Sequence, residues 1–241
     1  MEVVLCGLGL LLLSPVFLVI AILLKLTSPG PVFFRQRRLG QHGRSFELVK
    51  FRSMVHRPVG SGPLVTAGGD RRITPVGAVL RRFKLDELPQ LWNVARGDMA
   101  LVGPRPEVPR YVVHYPELFE LVLSQRPGIT DICTLQLRNE EQILAGAEDP
   151  EQFYVDKLLP RKLAASIREG WRRSFRRDLR VLLATVLPGL DRLAPLPDFR
   201  PLAELHHLPV ASSFEAAAGV DTGARAAVGD DRIGLDVEVS V

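Results

Sequence analysis

The sequence predicts a small α+β domain held against a membrane by an N-terminal helix, and three observations carry that prediction. An apolar run fills residues 3–24, directly before Lys25. Two β-rich stretches, residues 32–35 and 46–51, stand among the glycine signals Gly30, Gly40 and Gly43. From Thr74 to about residue 187, helical periodicity recurs between capping and turn residues. The organisation read from these patterns is a membrane helix over 1–26, a folded domain over 27–188 and a tail over 189–241.

The apolar run is roughly 33 Å long as a straight helix, against a hydrocarbon core of roughly 30 Å. Length alone therefore says span. Its middle, however, holds Ser14 and Pro15. Proline removes a backbone donor and clashes with the carbonyl four residues back, which kinks a helix. A serine beside it can bond the freed carbonyl, so that no polar group is left bare in lipid. Two arms of roughly 16 Å result, each about half a bilayer deep. A re-entrant membrane helix that enters and leaves on the cytoplasmic face satisfies these facts; a kinked span satisfies the same physics. Lys25, Arg35, Arg37, Arg38 and Arg44 place the downstream side in the cytoplasm. Met1-Glu2 lacks the basic start of a secretory signal.

Within the domain, the two β-rich stretches predict a hairpin, followed by a Gly-rich polar loop over 57–72. Thr74-Pro75 reads as an N-cap with proline at the first helical position. The helix it opens places Val76, Val79, Leu80 and Phe83 on one face. A second helix is expected from about Asp86 to Arg96-Gly97, and a proline-punctuated loop over 99–110. A helix over 116–125, a turn at "RPGIT" (126–130) and a strand over 133–137 complete the middle of the chain. Helical patterns then fill 151–159, 160–173 and 175–187. There, Arg161, Lys162, Arg168, Arg172, Arg173, Arg176, Arg177 and Arg180 interleave with Leu163, Ile167, Trp171 and Phe175. This is either a solvated basic face or a set of amphipathic interfacial helices on an anionic membrane surface. Residues 189–241, rich in Pro, Ala, Gly and Asp, are expected to be disordered.

The formal charge of +4 and the sequence pI near 9.4 favour anionic partners. Nucleic acid is disfavoured: aromatics are 7% and do not interleave with a basic run as stacking platforms do. Cys6 and Cys133 lie far apart, without metal-ligand spacing, which suits a reducing, cytosol-facing domain. His56, His114, His206 and His207 likewise show no metal spacing.

The densest polar stretch is "RRFKLDELPQLWNVARGDMALVGPRP", residues 81–106. From spacing alone, Asp86 and Glu87 are first a helix cap with an acidic first turn. They also have the makings of a nucleophile on phosphorus with a neighbour that holds Mg²⁺ or moves a proton. Arg81, Arg105 and the more distant Arg138 can supply guanidinium forks to the attacked phosphate. Arg105 stands between Pro104 and Pro106, so its backbone has little freedom. Asp98 is a loop-ordering or capping residue. Lys50 and Arg52 face phosphate or membrane, or a solvated strand edge.

"SPGPVFFRQRRLGQHGRSFELVKFRSM", "LDELPQLWNVARGDMALVGPRP" and "RPGIT" occur in the order that resembles the bacterial sugar transferases, the monotopic polyprenol-phosphate phosphoglycosyltransferases. The similarity runs from about Val3 to Leu187 and includes the Ser-Pro break. The resemblance implies that Asp86 attacks the β-phosphate of a nucleotide-diphosphate sugar, in this family a UDP-sugar, and releases UMP. A polyprenol phosphate then takes the sugar-phosphate from Asp86. Glu87 is implied as Mg²⁺ ligand or proton acceptor, and Arg81, Arg105 and Arg138 as substrate-contacting arginines. The segment after "RPGIT" reads "DICTLQLRNEE", a subgroup variation on the family's pattern. Only Met1-Glu2 precedes the apolar run, which implies a truncated start or the loss of one anchor. The implied setting is the cytoplasmic face of a bacterial inner membrane, with a second copy of the chain admitted as a partner. The rival from another class is a non-enzymatic membrane scaffold that binds anionic lipid through its basic helices.

Overall fold

The computed structural model describes residues 2–56, 63–170 and 174–187. Helix α1 (Glu2–Thr27) is continuous, with Pro15 inside it. The carbonyl that Pro15 cannot serve is that of Leu11, four residues back. Ser14 Oγ donates to that same oxygen at 2.7 Å. The serine therefore repairs the bond that the proline removes.

Along α1, Leu8, Leu11, Leu12, Leu18 and Leu26 are exposed, while Cys6, Ile20 and Leu24 are buried. Cys6 packs with Leu48, Val94 and Met99. Ile20 and Leu24 pack with Phe51 and Leu80. Both arms of the helix thus rest on one folded domain.

Strands β1 (Phe33–Leu39) and β2 (Ser45–Phe51) form the expected hairpin, with Phe33 opposite Phe51 and Leu39 opposite Ser45. Helix α2 (Pro75–Arg82) starts as its cap predicts: Gly77 N–H donates to Thr74 Oγ1 at 2.9 Å. A Cβ on Gly77 would lie 1.9 Å from Ser53 O, so only glycine lets α2 rest on the chain leaving β2.

The helix expected from Asp86 begins later. Lys84 adopts a left-handed φ of 56°, a 3₁₀ turn follows over Leu85–Glu87, and α3 spans Gln90–Ala95. Pro89 has no N–H with which to continue the turn, so the two pieces stay separate. Asp86 is consequently not the cap of a helix. Asn93 of α3 closes the free edge of β2: its Oδ1 accepts from Val49 N–H at 3.1 Å and its Nδ2 donates to Glu47 O at 2.7 Å.

Two short strands then pair in parallel, β3 (Ala100–Val102) and β4 (Gly128–Thr130), with Ala100 opposite Gly128 and Val102 opposite Thr130. Between them lie α4 (Pro109–Val112) and α5 (Pro116–Leu123). The "RPGIT" stretch expected as a turn therefore supplies a strand, too short to show a period of two. The strand expected over 133–137 is instead α6 (Ile132–Gln136), because Asp131 Oδ1 accepts from Thr134 N–H and caps it.

After α7 (Glu140–Ala145) and α8 (Pro150–Phe153), a π-helical turn over Tyr154–Leu158 leads into α9 (Leu159–Gly170). Helix α10 (Phe175–Val186) follows. The amphipathic pair divides in two. Leu163 and Ile167 of α9 are buried in the core. α10 buries Val181 and Ala184 against Val102, Ile132 and Leu135, yet leaves Phe175, Leu179, Leu183 and Val186 exposed beside Arg176 and Arg180. Trp171, Arg172 and Arg173, the tail at 189–241 with His206 and His207, and Met1 lie outside the described residues.

Candidate active site

The hairpin, the 3₁₀ turn and the loop after β3 converge on one cavity of about 1020 Å³. Arg81, Asp86, Glu87, Arg105 and Arg138 all line it, together with Lys50. Residues 57 positions apart in the chain, from Arg81 to Arg138, are thereby brought to one wall system.

At its centre, Glu87 accepts from Lys50 Nζ at 3.1 Å and from Arg105 Nη2 at 2.6 Å. Burial raises the affinity of its carboxylate for a proton, but Arg105 and Lys50 outweigh that and hold it well below the usual range. Asp86, the adjacent residue, is the opposite case. It is 5% exposed and its Oδ1 has no hydrogen-bond partner. Burial, helped by the neighbouring Glu87 charge, pushes its carboxyl up. Lys50 is pushed down to about 8, burial outweighing the pull of Glu87. Two neighbouring carboxyls thus have their protonation driven apart, an arrangement that suits separate chemical roles.

The arginines differ in their engagements. Arg105 is committed to Glu87. Arg81 ion-pairs with Glu141 of α7. Arg138 donates to Ala184 O near the end of α10 while lining the cavity.

Lys50 is the residue whose importance the sequence hid. It does not sit on a solvated strand edge; its side chain is 17% exposed and aimed at Glu87. The signal available was a lysine between Val49 and Phe51 in an otherwise apolar half-strand. Arg52 instead caps the end of α1, donating through Nη2 to Leu24 O, Ser28 O and Ser28 Oγ. Glu107, Tyr154 and Lys162, which also line the cavity, carried no recognisable sequence signal.

Among the described residues no three His, Cys, Asp or Glu side chains gather as a metal cage. Mg²⁺ does not need one: it is commonly held by one or two carboxylates together with substrate phosphates and water. The donor set fits that mode, since Asp86 Oδ1 is unpartnered and Glu87 Oε2 has only a 3.4 Å contact with Arg105.

A buried carboxyl pair ringed by lysine and arginine is a site suited to phosphate esters. The sequence model of the bacterial sugar transferase family matches residues 1–191, and the chain belongs to that family. A UDP-glucose:undecaprenyl-phosphate glucose-1-phosphate transferase of Caulobacter vibrioides is 39% identical over 190 residues, covering 77% of this chain and 67% of the relative. A like-named transferase of Xanthomonas campestris is 47% identical over 133 residues, 54% of this chain and 28% of its own. The UDP-N-acetylgalactosamine-undecaprenyl-phosphate N-acetylgalactosaminephosphotransferase of Aeromonas hydrophila is 41% identical over 133 residues, 54% of this chain and 31% of its own. The chain thus spans less than a third of the length of these last two relatives.

Proposed function

We propose that this protein transfers a sugar-1-phosphate from a UDP-sugar to a polyprenol phosphate, releasing UMP and forming a polyprenol-diphosphate-sugar. The observation that carries the reading is the contrast within the 3₁₀ turn: Asp86 buried with an unpartnered oxygen, Glu87 clamped by Lys50 and Arg105. The names of the relatives support the substrate class.

In the first step an Asp86 carboxylate oxygen attacks the β-phosphorus of the donor. The bond from that phosphorus to the bridging oxygen breaks, and UMP leaves with the bridging electron pair. In the second step an oxygen of the polyprenol phosphate attacks the same phosphorus and the bond to Asp86 breaks, restoring the carboxylate. Arg105 and Lys50 neutralise charge at the phosphate, and Arg81 joins them once donor phosphate displaces Glu141. Glu87 would hold Mg²⁺, which would supply Lewis-acid stabilisation of the diphosphate.

The same reading places the domain on the cytoplasmic face of a bacterial inner membrane, with α1 re-entrant and α10 at the interface. Support for re-entry comes from α1 packing: Cys6 and Leu24 both pack on the domain. A helix crossing the bilayer along its normal would carry Cys6 about 27 Å from Leu24, through lipid. The exposed Phe175, Leu179, Leu183 and Val186 beside Arg176 and Arg180 give α10 the composition of an interfacial helix. With Cys6 and Cys133 replaced, labelling of single cysteines at positions 2 and 25 should find both on the cytoplasmic side; an external position 2 would restore an ordinary span.

The deciding assay incubates detergent-extracted protein with polyprenol phosphate, Mg²⁺ and a broad panel of UDP-sugars, and measures UMP. Release with at least one sugar is expected. Silence across the panel would overturn the enzyme reading.

A further inference from the structure

Arg105 is held by two anchors. Ahead of it, Gly103 N–H donates to Thr130 O at 3.0 Å and Gly128 N–H to Pro104 O at 2.9 Å, which ties the loop to β4. A Cβ on Gly128 would lie 2.1 Å from Gly103 N, so the two backbones are in direct contact.

Behind it, Pro106 O accepts from Arg38 Nη1 at 2.9 Å, Glu107 O accepts from Leu39 N–H at 3.0 Å, and the Glu107 side chain enters a buried network. Its Oε1 accepts from the Tyr154 hydroxyl, and its Oε2 from Arg38 at 3.4 Å. Lys162 Nζ donates to the Tyr154 hydroxyl and to both oxygens of Glu140, each at 3.2 Å. Two cations and two carboxylates cancel, so the cluster is neutral with its charges paired, Glu107 and Tyr154 buried and Arg38, Lys162 and Glu140 partly so.

The π turn has a specific consequence here. Tyr154 and Lys162 are eight residues apart, and eight residues of regular α-helix leave side chains about 80° apart. A π turn accommodates one extra residue, so the interval counts as seven and the angle closes to about 20°. The phenol and the ammonium then share one face, the one turned to Glu107. An uninterrupted α-helix over the same residues would turn Lys162 away from Tyr154.

We propose that Tyr154 and Lys162 are positioning residues for Arg105: through Glu107 they fix the backbone from which Arg105 reaches Glu87 and the substrate phosphate. The inference rests on the transferase reading for what Arg105 does, but the anchoring itself does not depend on that reading. It also gives the helical segment 150–170 a task beyond packing, since it sets the loop that carries a charge into the cavity.

The test is a double-mutant cycle on the full chain with Tyr154→Phe, Arg105→Ala and the pair, measuring kcat and KM for UMP release beside melting temperature. Removing the hydroxyl should lower kcat/KM about tenfold in the wild-type background, the rate equivalent of one lost hydrogen bond to a charged group. In the Arg105→Ala background the same change should alter kcat/KM by less than about twofold, because the effect travels through Arg105. Lys162→Arg should retain more activity than Lys162→Met. Equal losses in both backgrounds, or a melting shift with unchanged kcat/KM, would overturn the proposal. If wild-type protein releases no UMP from any sugar, the transferase reading fails by itself. The cycle is then read from calorimetric binding of UDP, where additive effects again overturn the positioning role and coupled effects support it.

Discussion

The turn at Glu87 and the loop at Glu107 each bury a carboxylate against two cations, yet they do opposite things with it. At Glu107 both oxygens are engaged, by Tyr154 and Arg38, and the charges cancel within the cluster. At the turn, Glu87 is equally engaged, but its neighbour Asp86 is buried with one oxygen unpartnered. A fully satisfied buried network rigidifies, whereas a buried polar atom left without a partner carries a cost that folding alone gives no reason to keep. The comparison separates scaffold from chemistry within one cavity.

The largest effect should come from Asp86→Asn, which keeps the shape and removes the proposed nucleophile. UMP release should fall at least about 10³-fold, with no loss of melting temperature, because no bond of Asp86 Oδ1 is broken. Full activity in this variant would end the assignment. Glu107→Leu should behave in reverse. It leaves Arg38 without its carboxylate and the Tyr154 hydroxyl without its acceptor, and should cost about 3–5 kcal/mol in chemical denaturation. A loss below about 1 kcal/mol would mean that the network is not the anchor described.

The next effect is a shift in pH profile. Burial pushes Lys50 down to about 8, so its charge is present below that pH and is lost as pH rises through it. Glu87 then keeps only Arg105, and turnover should decline on the alkaline side. Lys50→Arg, whose guanidinium stays charged, should carry the plateau to higher pH; an unmoved alkaline limb would take Lys50 out of the mechanism. The smallest effect is expected for Glu141→Gln. It frees Arg81 from its resting partner, and KM for the donor should drop about twofold to fivefold, within the range of a partly exposed ion pair. A raised KM would mean that Glu141 presents Arg81 to the substrate and does not compete for it.

Much of the site was legible before any coordinates. Asp86-Glu87, Arg81 and Arg105 stand in the dense stretch 81–106, Arg138 stands outside it, and all five line the cavity. Lys50 was hidden because a lysine at a strand position reads as solvated until the turn that faces it is known. Glu107, Tyr154 and Lys162 were hidden because such an ion network leaves no local pattern: with Arg38 and Glu140, its members come from four segments with unrelated periodicities. The turn expected at "RPGIT" proved to hold a strand, and the strand expected after it proved to be a helix, for a similar reason. β4 has three residues and is a strand through its parallel pairing with β3.

The sequence by itself determined what is local. The Ser14–Pro15 pair encodes its own repair, Thr74-Pro75 encodes the start of α2, and the glycine turns encode the hairpin, because each depends on backbone geometry within a few residues. Only the tertiary structure decided which of two adjacent carboxyls is clamped and which is left bare. That depends on where Lys50 and Arg105 arrive, 36 residues before Asp86 and 19 after it. Burial and charge pairing are properties of the assembled cavity, and no stretch of chain carries them alone.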